Sequence, residues 1–142
     1  MEAQRERIIR RYRGKGFKLT PQRIAILEFL EGNTDHPSAD DIYQAIRLTH
    51  PTVSIATVYN TVETLRDKGF IIEITIDPER KHYDPNANRH HHIICTDCAK
   101  IGDIFEDYSE TLNLPIEMMR EFTLTGNHIN FYGLCRDCID LN

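Results

Sequence analysis

Two cysteine pairs of identical spacing, Cys95-Thr-Asp-Cys98 and Cys135-Arg-Asp-Cys138, limit how this chain can fold more than any other feature. A fold that uses them together must bring two stretches separated by residues 99–134 side by side. Four thiolates have the number and softness for a closed tetrahedral zinc site, and zinc of that kind contributes folding free energy directly. A thioredoxin-like redox pair or an iron–sulfur cluster could also use such cysteines, but two matched pairs with no preceding βαβ pattern favour structural zinc. No uninterrupted apolar stretch approaches the roughly 20 residues that span a bilayer, and "MEAQRERIIRRYRGKG" lacks the apolar region of a secretion signal. A cytoplasmic, reducing setting is therefore expected, where standing disulfides are rare.

Ahead of the cysteines the pattern is helical. Apolar residues at helical spacing predict helices over about 2–13 and about 21–31, the second with Thr20 as N-cap and Pro21 in its first position. Ser38 and Asp41 form a capping-box signature for a third, and a fourth runs from about Ser54 to Lys68 with Val58, Val62 and Leu65 inward and Gly69 at a left-handed cap. "FIIEITID", the turn "DPER" and "KHYD" then read as a β-hairpin. Helices that close in a helix-turn-helix and a hairpin describe a winged helix-turn-helix, expected over residues 1–84. Past the polar linker "DPNANR", residues 85–142 hold strand-like stretches, "HHHIIC", "KIGDIF" and "FTLTGNHINFYGLC", around a helical segment near 107–120 whose core face would take Met118 and Met119. The expected fold class is α+β, a winged helix-turn-helix followed by a small α/β domain with antiparallel strands and the four-cysteine zinc site.

Charge is distributed unevenly. The formal net charge is −5, yet the first 25 residues carry eight Lys/Arg against Glu2 and Glu6, about +6, leaving about −11 for the rest. Local phosphate contacts rather than total charge govern association with nucleic acid, so a basic end joined to an acidic remainder fits a DNA-facing domain. A solvated helix face would carry the same charges.

The run "HHHIIC" raises a second question of chemistry. On a strand, His90 and His92 share a face and His91 points the other way. Two imidazoles alone are weak ligands, but His36, Asp84 and Asp103 make candidate partners. Together His36, Asp84, His90, His92 and Asp103 give three nitrogens and two carboxylates, a set that suits divalent iron, manganese or zinc with a coordination position left open. Ligands drawn from both domains would let metal occupancy control their relative orientation.

The stretches "LTPQRIAILEFL", "HPSADDIY", "ATVYNTVETLRDKGFI", "HHHIICTDCAKIGD" and "FYGLCRDC", in that order, resemble the ferric uptake regulator (Fur) family of metal-responsive repressors over essentially the whole chain. The resemblance implies a homodimer with an N-terminal winged-helix domain that binds palindromic operator DNA and a C-terminal α/β dimerisation domain. Asp84 and Asp103 are similar to the peroxide-sensing branch, whereas iron-sensing members usually carry glutamate there. Carried over, that branch makes His36, Asp84, His90, His92 and Asp103 the regulatory Fe(II) or Mn(II) site beside structural Zn(II). Peroxide reacting at the iron would oxidise His36 or His90 and release the DNA; no other small-molecule substrate is implied. A further metal site of the family falls near His91, Glu110 and His128.

In a winged helix-turn-helix the last helix enters the major groove, so Ser54, Thr57, Tyr59 and Asn60 of the fourth helix are the candidate readers, with Arg23 positioning the backbone. An iron-responsive repressor that senses metal availability is the alternative within the same class. A metalloenzyme would use the same open position, but the chain has no HExxH and no HxE paired with PCxxC, and a non-catalytic regulator is expected. An interaction module stapled by zinc is a third reading, distinguished by metal-indifferent DNA binding.

Overall fold

The computed structural model describes residues 2–77 and 79–141, which fall into two units, Met1–Ala87 and Asn88–Asn142. In the first unit, α1 spans Glu2–Tyr12, α2 Pro21–Leu30, α3 Ala39–Ile46 and α4 Ile55–Asp67, followed by β1 Ile72–Asp77 and β2 Arg80–Asp84. Each helix after α1 begins where a hydroxyl takes up an orphan amide. Thr20 Oγ1 accepts from Arg23 N at 3.2 Å, Ser38 and Asp41 close a reciprocal capping box, and Ser54 Oγ accepts from Thr57 N at 3.1 Å. Past the end of α4, Gly69 adopts φ +77°, a left-handed conformation that frees the chain to turn into β1.

One stripe of α4 supplies much of the core. Val58, Thr61, Val62 and Leu65 recur at helical spacing and are fully buried, packed with Ile8, Ile26, Ile42 and Tyr83. The hairpin is antiparallel, pairing Glu73 with Tyr83 and Thr75 with Lys81, so these four side chains share one face. Pro78, in the expected "DPER" turn, lies outside the described residues.

The second unit holds β3 His91–Cys95, β4 Ile101–Ile104, α5 Ile116–Met119, β5 Asn130–Gly133 and α6 Arg136–Leu141, in a sheet of order β4-β3-β5. Three expectations are corrected here. β4 is antiparallel to β3, but β5 runs parallel to it, because the chain leaves β4 on one edge of β3 and returns on the other through residues 105–129. A parallel neighbour needs such a long crossover, and this one contains little regular structure. The helix expected near 107–120 shrinks to Ile116–Met119. Pro115 fixes its start, and upstream Asp107 and Asn113 side chains bond Ser109 N and Leu114 N locally at 2.9 and 2.8 Å instead of leaving them to a helix. Met118 and Met119, expected in the core, are 42% and 51% exposed.

The interior of this unit is chemically unusual. Among the described residues its buried ones are Ile94, Cys95 and Cys138 with His90, His91 and His92, while Phe105, Ile116, Phe122, Tyr132 and Leu141 are exposed. Imidazole and thiol groups thus fill much of the space that aliphatic side chains occupy in the first unit.

Truncating Leu65 to Ala should destabilise the first unit by about 2–5 kcal/mol, since a fully buried side chain is lost. Ser38→Ala, which removes only a cap, should cost about 1 kcal/mol. Denaturant unfolding of both variants checks the ranking.

Candidate metal centres and nucleic-acid surface

The cysteine pairs sit where the sheet meets α6. Cys95 ends β3, Cys98 follows in the turn, Cys135 follows β5 and Cys138 lies in α6, so the parallel pairing of β3 with β5 brings the two motifs together. Their sulfurs all lie within 4.8 Å of one another, and Cys98 Sγ is 3.7 Å from Cys135 Sγ. Zinc–sulfur bonds of about 2.3 Å in a tetrahedron demand sulfurs about 3.8 Å apart, so the cluster fits a structural zinc. The thiols are not equivalent. Backbone N–H groups of Cys98 and Cys135 point at Cys95 and push its pKa down to about 6, the Cys135 amide donating at 3.4 Å. Burial, and then the neighbouring sulfurs, push Cys138 up. Cys95 is therefore the thiol prepared by the fold as a thiolate, while Cys138 needs a cation to give up its proton.

The candidate histidine and aspartate ligands form one half-set in each unit. In the first, His36 occupies a left-handed backbone conformation, φ +52°, just before Pro37, a strained arrangement held by β2. His82 Nδ1 donates to the His36 carbonyl at 2.8 Å, and Tyr83 N donates to the Pro37 carbonyl at 2.9 Å. Two residues past His82 on the same strand face, Asp84 brings Oδ2 to 3.3 Å from His36 Nε2, while its Oδ1 accepts from Asn86 N at 2.9 Å. Both side chains are almost fully buried.

In the second unit the register of β3 and β4 sets His92 opposite Asp103. Asp103 Oδ1 lies 3.0 Å from His90 Nε2 and 3.3 Å from His92 Nε2, and the two rings meet edge-on at 4.5 Å. His90 Nδ1 is 2.7 Å from the Asn88 carbonyl, which can only accept, so Nδ1 carries the hydrogen of that contact and Nε2 is turned toward Asp103. Behind His92, His128 Nε2 stands 3.1 Å from His92 Nδ1. Sequence reasoning missed this role of His128, and that of His82; for His82 the signal was its period-two relation to Asp84.

His91, Glu110 and His128 are not gathered into a set of close ligand atoms among the described residues. His91 accepts from Ile129 N at Nδ1 (3.0 Å) on the opposite face of β3, its ring 6.3 Å from that of His128, and Glu110 is exposed. Nearby, Arg89 donates to the Thr125 carbonyl at 3.0 Å and fills the space above Gly126, where a Cβ would lie 1.5 Å from its Nη2. A fixed guanidinium is a poor neighbour for a further cation.

On α4, Ser54 and Thr57 are joined hydroxyl to hydroxyl at 2.9 Å, and Tyr59 and Asn60 face solvent, Tyr59 with 44% exposure. Asn60 Oδ1 accepts from Arg23 Nη2 at 3.2 Å, and the same guanidinium donates to the Lys18 carbonyl and stacks over Phe17. Arg23, Thr57 and Asn60 thus border one open recess. Among the described residues no helix is long and apolar enough to cross a membrane.

The profile of the Ferric uptake regulator family matches residues 14–132. The peroxide-responsive repressor PerR of Staphylococcus saprophyticus is 36% identical over 140 residues, 99% of this chain and 95% of that one. Among solved structures, the ferric uptake regulator of Francisella tularensis with iron has 31% identity and a TM-score of 0.75, covering 87% of this chain and 96% of its own. PerR of Streptococcus pyogenes, described in terms of peroxide sensing and gene regulation, has 31% identity and a TM-score of 0.51 over 94% of this chain and 92% of its own.

Chelation of zinc under reducing conditions should abolish the cooperative unfolding of residues 88–142 while the first unit keeps its helices, followed by circular dichroism and amide exchange. Cys98→Ser should lower bound zinc from about one per chain, read by elemental analysis.

Proposed function

This chain belongs to the Ferric uptake regulator family, and from that premise we propose that it is a metal-dependent transcriptional repressor. In this reading it binds palindromic operator DNA in the cytoplasm as a homodimer and is released when peroxide oxidises histidine ligands of its regulatory Fe(II). Residues 1–84 read DNA through Ser54, Thr57, Tyr59 and Asn60, with Arg23 on the backbone. Residues 85–142 assemble the dimer, a role supported by the exposed apolar side chains of that unit. Structural Zn(II) occupies Cys95, Cys98, Cys135 and Cys138.

The observation that carries the reading is the pairing of histidine with aspartate, without thiolate, in both half-sets: His36 with Asp84, and His90 and His92 with Asp103. We take these five side chains as one regulatory site for Fe(II) or Mn(II). Ferrous iron held there would supply the reactivity by which peroxide oxidises an adjacent imidazole, whereas manganese would react poorly. The chain's own contribution is to aim Nε2 of each histidine, through Asn88 for His90 and through the β2 hydrogen bonds for the His36 loop. Oxygen added to His36 or His90 changes the ring's basicity and shape, so the ligand set loosens and with it the geometry that suits DNA. The presence of short aspartates and the likeness to peroxide-responsive repressors favour this over an iron-availability sensor.

Chain loaded anaerobically with Fe(II) or Mn(II) is exposed to low peroxide, with operator binding and peptide masses followed together. The iron form should gain one oxygen on the His36 or His90 peptide and lose DNA, and the manganese form should do neither. An iron form that keeps its mass and DNA, with binding tracking free iron, would establish the iron-responsive alternative instead.

A further inference from the structure

The reading helix and the hairpin beside it are joined by charge. Glu63 and Arg66 on α4 face the patch formed by Glu73, Thr75, Lys81 and Tyr83. Arg66 Nη1 is 2.5 Å from Glu73 Oε1 on β1, and its Nη2 is 2.5 Å from Glu63 Oε2 and 2.9 Å from Asp67 Oδ1. Tyr83 Oη donates to Glu63 Oε1 at 3.2 Å, and Thr75 Oγ1 donates to Glu73 Oε2 at 2.6 Å. Lys81 Nζ lies between the same two carboxylates, 3.9 Å from Glu63 and 3.8 Å from Glu73. Three carboxylates thus surround two cations, one of them the hairpin's own lysine.

Stability alone does not account for the network. Ion pairs that remain in contact with water contribute little, and the buried face of Val58, Val62 and Leu65 already seats α4. What the network adds is direction, because one planar guanidinium forks between a helix and a strand. Next to it opens a cleft of ≈ 430 Å³ bordered by Ser38, Tyr59, Glu63, Lys81 and His82; β2 is held to the His36–Pro37 loop through His82 and Tyr83, so the network governs the tilt of the Lys81 side of the hairpin rather than its attachment.

We propose that Arg66, Glu63 and Glu73 form a latch that fixes the angle of the hairpin against the reading helix and withholds Lys81 from DNA phosphate. They are positioning residues, acting through the hairpin. Phosphates are the same in every sequence, so an unmasked Lys81 would strengthen binding to any duplex and dilute discrimination. The latch therefore sets the ratio of operator to random affinity.

This inference rests on the reading of the chain as a DNA-binding repressor. The test uses the full, metal-loaded chain as wild type, the double variant Glu63→Gln with Glu73→Gln, and Arg66→Lys, which keeps the charge but not the fork. Amide exchange in β1 and β2 is measured without DNA. Affinity is measured over a salt series for a palindromic duplex selected with the wild type and for a scrambled duplex of equal length. In the double variant, the slope of log affinity against log salt should steepen by about 0.9, one further phosphate contact. The selected-to-scrambled ratio should fall about tenfold. Arg66→Lys should speed exchange in the hairpin and leave that in α2 unchanged. Unchanged slope, ratio and exchange, with wild-type binding intact, would overturn the latch. A wild type that binds no duplex would overturn the repressor reading instead, and the exchange data would still decide whether the hairpin is tethered.

Discussion

Four sulfur atoms gather where β3 and β5 end, and a zinc ion held among them would be the clasp on which the second unit depends. Its sheet has three strands, its buried positions are rich in histidine, and its longest connection has only one short helix. Such a unit has little apolar area to set against the entropy of ordering its chain. Pairing β3 with β5 in register both assembles the cysteines and aligns His92 with its neighbours, so one constraint serves the cysteine cluster and the histidine face alike.

The first unit is held by different means. Its helices are opened by side-chain caps and closed over an aliphatic core. That division leaves its polar groups to other tasks: His36 in a strained loop sewn to β2, Arg23 bonded to Asn60 on the outer face of α4, and Arg66 forked between helix and hairpin. Each of these side chains is placed by an element whose stability lies elsewhere, which is how precise geometry survives in groups outside the apolar core.

Legibility in the sequence followed the range of the interactions. Caps and helical stripes are local, and Thr20, Ser38 and Ser54 announced α2, α3 and α4 to within a residue or two. The cysteine cluster was readable because the residue types and the repeated spacing leave few other uses. The parallel return of β5 was not, since it depends on which edge of β3 remains open after β4 has paired. Residues 107–120 misled because their composition suits a helix while Pro115 and the local bonds of Asp107 and Asn113 break it. His128 was legible as a ligand type but not as the group behind His92, and the Arg66 fork needed the strand register before its partners could be named.

The parallel placement of β5 also has a bearing on the order of events during synthesis. Domains fold as units, N-terminal first, as the chain emerges at about 5–20 residues per second. The helical unit is complete before the second cysteine pair has been made, whereas the clasp must wait for Cys135 and Cys138. For that interval a nascent molecule holds a finished basic surface and two thiols without their counterparts. Zinc capture at the four cysteines would thus follow the folding of the first unit, and a ribosome stalled between the two motifs would leave a chain with a folded first unit and an unfinished second one.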